Sequence, residues 1–195
     1  MVGRLLYPPM IQWEVTPYCN HDCIHCYNYW RSAEDKKSDI LFNKDVSEKH
    51  YLDIAAKLIE AKPVRVTITG GEPLSVFDKL KGAIDLLLEA RIIVSLNTNA
   101  TLISKEIVDY LVKNRIPLFI SFPCAEESIC DYITGRKGSF ARIVESIRIL
   151  KRANVSLGIN MVVSKVNNKY VYQTAKYVKE ELGLDYFCAT KVALP

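Results

Sequence analysis

The chain has 195 residues, 49% hydrophobic and 25% charged, an ordinary composition for one globular domain with a buried core. Its formal charge of +4 is mild, and its lysines and arginines are mixed with acids, which argues against a nucleic-acid-binding stripe. The opening MVGRLLYPPM is too short and proline-broken for a signal peptide, and no apolar run is long enough to span a bilayer, so we expect one cytoplasmic domain, 1–195.

Strand-like segments fall at Ile11–Thr16, Val64–Thr69, Ile92–Asn97, Pro117–Phe122, Val155–Val163 and Asp185–Ala189. Most read as apolar on both faces, as parallel strands covered on two sides do. Helical stripes alternate with them: Tyr51, Ile54, Ala55, Leu58 and Ile59; Leu80, Ala83, Ile84, Leu87 and Leu88; Ile143, Val144, Ile147 and Leu150; Val171, Thr174, Ala175, Val178 and Leu182. A shorter helix spans Ser104–Asn114, with Ser104 as N-cap and Glu106 in the first turn. Ala61-Lys62-Pro63 and Asn114-Arg115 read as helix stops.

Six strands and five helices in alternation predict parallel strands with helices outside. Right-handed crossovers then curl the sheet into a partial (β/α)6 barrel of the TIM type. A full eight-unit barrel needs roughly 250 residues, more than are present. The chain stops at Pro195, just past the sixth strand, and the expectation is a longer protein truncated before its sixth helix. Between the cysteines and the first helix, Tyr27–Asp45 reads as an exposed loop or lid.

Three of the six cysteines lie in CNHDCIHC, as Cys19, Cys23 and Cys26 directly after the first strand. A secreted disulfide framework would space its cysteines through a shorter chain, so thiols packed this tightly read as metal ligands. Core packing is a poor alternative for three cysteines in eight otherwise polar residues. A four-iron cluster normally takes four thiolates. Three leave one iron open, which suits binding of a cofactor or substrate. The competing reading is a structural zinc site in which His21 or His25 joins the three cysteines. A plain electron-transfer protein would want a fourth cysteine nearby.

In parallel α/β folds, ligands gather at the carboxyl ends of the strands. The unusual residues follow that rule: the cysteines after strand one, Gly70-Gly71-Glu72-Pro73 after strand two, Asn97-Thr98-Asn99 at strand three, Ser121 at strand four and Asn160 in strand five. Gly70 and Gly71 lack side chains, so a ligand can approach their backbone, and Glu72 can accept from an amine. Thr98, Asn99 and Ser121 bring hydroxyl and amide groups suited to a ribose or carboxylate. Taken singly, each of these is as well explained by a capped turn. Their convergence on one mouth is the stronger signal.

CNHDCIHC, TITGGEPL at Thr67–Leu74, LNTNATL at Leu96–Leu102 and SFPCAEESICDYITGRKGSF at Ser121–Phe140 together resemble the radical S-adenosylmethionine (SAM) enzymes, over nearly the whole chain. The resemblance implies a [4Fe–4S] cluster on Cys19, Cys23 and Cys26, with the open iron chelating the amino and carboxylate groups of SAM. One electron from the cluster would then cleave a C–S bond of the cofactor, giving methionine and a 5′-deoxyadenosyl radical that takes hydrogen from the substrate. It further implies Gly71 and Glu72 at the methionine amine, Thr98, Asn99 and Ser121 near the carboxylate or ribose, and His25 against the adenine, with Gly70 and Asn160 as further cofactor-binding residues. Pro123 and Cys124 stand where many members carry aspartate and glycine, and Thr134 where many carry the arginine that holds the carboxylate. Arg136 is the substitute to examine.

ITGRKGSF followed by GINMVVSKVN most resembles the maturases of ribosomally made peptides, including those with a cysteine-rich C-terminal extension. The implied partners are a precursor peptide and an electron donor such as a flavodoxin or ferredoxin. A small-metabolite substrate is the runner-up. Cys124, Cys130 and Cys188 read as packing thiols, and Lys191 as a residue at the mouth.

Overall fold

The computed structural model describes residues 8–27 and 46–192. The predicted loop beyond Tyr27 and the terminus at Pro195 lie outside these residues. The strands are β1 (Met10–Glu14), β2 (Arg65–Thr69), β3 (Ile93–Thr98), β4 (Leu118–Ser121), β5 (Leu157–Val163) and β6 (Phe187–Lys191). They form one sheet in the order β1-β2-β3-β4-β5-β6, every pair parallel, and the sheet curls into a half-barrel. Neighbours in sequence are neighbours in space, so each crossover carries its helices over the same outer face.

The outer layer is α1 (Glu48–Glu60), α2 (Phe77–Glu89), α3 (Lys105–Asn114), α4 (Glu127–Thr134), α5 (Ser139–Arg152) and α6 (Val171–Glu180). Among the described residues this is one α-helix more than the five expected. The extra one is α4, only 8 residues long, whose N-cap Glu126 makes no side-chain cap bond. Its apolar stripe is too short to stand out by periodicity. The predicted caps are found: Ser104 accepts from the Ile107 N–H at 3.3 Å, and Arg115 closes α3 in the left-handed region at φ 53°. β6 begins two residues later than expected and includes Lys191.

The strands are not apolar on both faces. Val66, Ile68, Leu96, Leu118, Ile120 and Ile159 are fully buried under the helices. Alternation turns their neighbours inward, and these are largely polar: Thr67 and Ser95 face each other at 3.1 Å between hydroxyls, and Asn97, Ser121 and Asn160 line the hollow side. An open half-barrel has a wet interior, so only the helix-covered face needs to be greasy. Burial of Leu80, Ile84 and Leu87 of α2, each fully hidden, contributes about 1.5–3 kcal/mol per side chain.

α5 starts at Gly138, which has no side chain to cap it. Asp131, seven residues upstream in α4, performs the task instead: its carboxylate accepts from the Gly138 N–H at 2.5 Å, the Phe140 N–H at 2.9 Å and the Ser139 hydroxyl at 2.9 Å. Asp131→Ala should therefore cost about 1 kcal/mol, as a lost N-cap does. Urea melts of the two chains should show a lower midpoint at unchanged slope.

Candidate active site

Strand register sets the site. Ser121 pairs with Asn160, and Asn160 with Cys188, so these residues share one row across the hollow face. At the carboxyl ends of the strands lies a cavity of about 500 Å³. Cys19, Cys23, Cys26, His25, Gly70, Gly71, Glu72, Thr98, Asn99, Ser121 and Asn160 all line it. Segments up to 173 residues apart in sequence thus meet at one mouth, from Cys19 to Val192.

The twin glycines answer first to the protein. A Cβ on Gly71 would lie 1.9 Å from the Tyr18 carbonyl oxygen, and one on Gly70 2.6 Å from that of Thr16. Gly70 also sits at φ 133°, a conformation side chains rarely adopt. In this close contact the Gly71 N–H donates to the Thr16 carbonyl at 2.6 Å and the Glu72 N–H to that of Tyr18 at 2.7 Å. The segment leading into the first cysteine is thereby strapped to the end of β2.

Glu72 continues the strap to β3. Its carboxylate is 1% exposed and accepts from the Leu74 N–H at 3.0 Å, the Thr98 hydroxyl at 2.7 Å and the Asn99 N–H at 2.8 Å. Burial pushes its pKa from an ordinary 4.5 to about 6, against the lowering effect of those three donors. At neutral pH it remains an anion whose oxygens are largely committed to the protein.

The cysteine loop is held on two further sides. The Asp22 N–H donates to the Thr134 carbonyl and the Ile24 N–H to that of Ile133, both at 2.9 Å, so the end of α4 receives the loop. Arg136 pairs with Asp22 at 2.9 Å and donates to the Asn20 carbonyl at 3.1 Å. It braces the outside of the loop and is not among the residues lining the cavity, so it does not stand in for the arginine of the family pattern. Thr134 lines the cavity but bonds to the Ser139 hydroxyl at 2.6 Å. Among the described lining residues, Lys191 is the one lysine or arginine.

Cys19, Cys23 and Cys26 are half-buried and line one wall of the cavity. Three thiolates on one wall can each take a different iron of a cluster. The His25 ring fits a missing ligand as well. Its Nδ1 is buried with no hydrogen-bond partner in the protein, and burial lowers its pKa, which favours the neutral ring. An unsatisfied buried nitrogen is costly, and a ligand in the cavity could relieve it.

Cys124 and Cys130 are fully buried, as expected of packing thiols, and burial pushes Cys130 up to about 12. Cys188 departs from that reading, since it lines the cavity beside Asn160. Alternation along β6 separates its two faces, but the sequence does not say which face looks into the hollow. Asn20 and Thr101, which clamp Asn99, were also missed, because a loop asparagine or threonine carries no pattern of its own.

The family model of the radical SAM superfamily matches residues 13–178. The chain belongs to that superfamily and is an enzyme. It is 32% identical over 184 residues to the AdoMet-dependent heme synthase of Methanosarcina barkeri (strain Fusaro / DSM 804), covering 92% of this chain and 50% of that protein. It is 26% identical over 193 residues to the radical SAM cyclopropyl synthase TigE of Paramaledivibacter caminithermalis (strain DSM 15212 / CIP 107654 / DViRD3), covering 89% of this chain and 40% of the relative. In fold it matches Streptococcus suis SuiB bound to precursor peptide SuiA, with a TM-score of 0.77 at 20% identity, over 96% of this chain and 40% of SuiB. The chain spans about half or less of the length of these relatives.

A proton binds Glu72 more tightly in the folded chain than in the unfolded one. Its contribution therefore favours the fold below about pH 4.5 and is lost as pH rises through about 6. Urea denaturation of wild type and Glu72→Gln from pH 4 to 7.5 should show the wild type losing roughly 2 kcal/mol relative to the variant across that window. A constant difference would mean the carboxyl titrates normally.

Proposed function

We propose that Cys19, Cys23 and Cys26 hold a [4Fe–4S] cluster and that the cavity beside them binds SAM. The observation that carries this is the meeting of the three cysteines with residues from four other strand ends in one cavity, in a chain of this superfamily. When bound, the cluster and SAM supply one-electron cleavage of a sulfonium and hydrogen abstraction from a substrate. The protein binds, orients and shields from water.

Gly70, Gly71 and Glu72 form the wall facing the amino group of the cofactor. Glu72 Oε2 accepts from the Asn99 N–H and keeps a lone pair for a second donor. Ser121 and Asn160 on the hollow face meet its ribose or carboxylate, and Thr98 holds Glu72 in place beside them. His25 lies where the adenine would stack, its unpaired Nδ1 ready for a partner. The electron comes from a low-potential flavodoxin or ferredoxin.

Anaerobic reconstitution should give about four irons per chain, with SAM cleaved on reduction. Cys23→Ala should lose most of the iron and all cleavage. Iron content unchanged in that variant would end the proposal, and a colourless wild type carrying a single zinc would favour the structural-zinc reading.

For the substrate we favour a ribosomally made peptide. TigE, the subtilosin biosynthesis protein AlbA and the mycofactocin maturase MftC are relatives at 26–28% identity, and SuiB is solved with its precursor peptide. A cavity of about 500 Å³ is the size for one drug-sized ligand, which the cofactor would take up. The substrate then has to approach across the open edge near Tyr186, Thr190 and Lys191, which an extended chain can do. A tetrapyrrole is the second reading, favoured by the heme synthase at 32% identity. Calorimetric titration of the reconstituted protein, carried on whatever full-length chain contains this domain, should show binding of an untagged precursor peptide and its mass change on turnover. Turnover of an iron tetrapyrrole with no peptide binding would decide for the tetrapyrrole.

A further inference from the structure

Asn99 was read from the sequence as a cofactor contact, but its amide is already spoken for. Oδ1 accepts from the Thr101 N–H at 2.9 Å and from the Thr101 hydroxyl at 2.6 Å. A backbone N–H can only donate, so the oxygen must face Thr101, and the amide orientation is fixed by chemistry. Nδ2 is thereby turned to the cysteine loop. It donates to Asn20 Oδ1 at 2.8 Å and lies 3.8 Å from Cys19 Sγ. Asn20 closes the ring by donating to the Thr101 hydroxyl at 2.8 Å.

We infer that Asn99 is a positioning residue for the cluster: its amide N–H reaches Cys19 Sγ, fixes that ligand and raises the cluster's reduction potential. The inference rests on the cluster reading of the three cysteines. Its physical basis is that an N–H donated to a thiolate withdraws negative charge, which favours the reduced, more negative cluster. Cys19 already receives one such donor, the His21 N–H at 3.4 Å, from within its own loop. The second comes from the end of β3, 80 residues away in sequence, and is 9% exposed, where water screens little. The ring of Asn20, Asn99 and Thr101 gives the donor one position rather than several.

Asn99→Asp is the direct test. It retains the oxygen facing Thr101 and replaces the donor by an acceptor of nearly equal size. Potentiometric titration of the reconstituted protein, followed by electron paramagnetic resonance, should show a more negative midpoint in N99D at the same iron content and thermal midpoint. Thr101→Val keeps Nδ2 but loosens it, and should move the potential the same way by less. Should N99D fold without its cluster, T101V carries the measurement. An unmoved potential in an iron-replete N99D, or in T101V where N99D holds no cluster, overturns the inference. A wild type that takes up no iron would instead fail the function proposed above, so the two outcomes are distinguishable.

Discussion

The backbone contact between Gly70-Gly71 and Thr16–Tyr18 is the constraint from which the site is built. Two short hydrogen bonds, at 2.6 and 2.7 Å, tie the approach to the cysteine motif onto the end of β2. Any side chain at Gly71 would overlap the Tyr18 carbonyl, so the contact exists only because that position has none. The usual argument for such glycines is room for a ligand. Here room for the protein's own loop comes first, and the cavity forms where the loop then lies.

From that contact a chain of polar groups runs across the strand ends. Glu72 bonds Thr98 and Asn99, and Asn99 bonds Thr101, Asn20 and Cys19. Removing the Glu72 carboxylate from water is opposed by three donors, yet its pKa still settles near 6, so desolvation outweighs them by a modest margin. Such a group weakens the fold slightly at neutral pH while holding two strand ends in register. A buried polar network of this type is tolerable because nearly every member has a partner. Among the described residues the exception is Nδ1 of His25, a residue that lines the cavity.

α4 shows how much a short element can decide. Its last carbonyls receive the cysteine loop, its Asp131 caps α5, and the Arg136 that follows braces Asp22. The sequence reading treated this stretch as motif rather than helix, because eight residues give barely two turns of pattern. It also offered Arg136 as a stand-in for the family's carboxylate-holding arginine. Charge is visible in a sequence; the direction in which a long side chain leaves its turn is not.

The sequence by itself determined the alternation of strands and helices, the parallel half-barrel and the list of residues at its mouth. These follow from local periodicity and from the rule that parallel strands present their carboxyl ends together. Tertiary structure alone decided what each of those residues touches. Whether Asn99 meets a cofactor or a cysteine, whether Cys188 faces core or cavity, and which oxygen satisfies Glu72 all depend on register and on contacts between segments far apart in the chain. No local pattern encodes such distances, since they arise only once the sheet has curled and the loops have packed against one another.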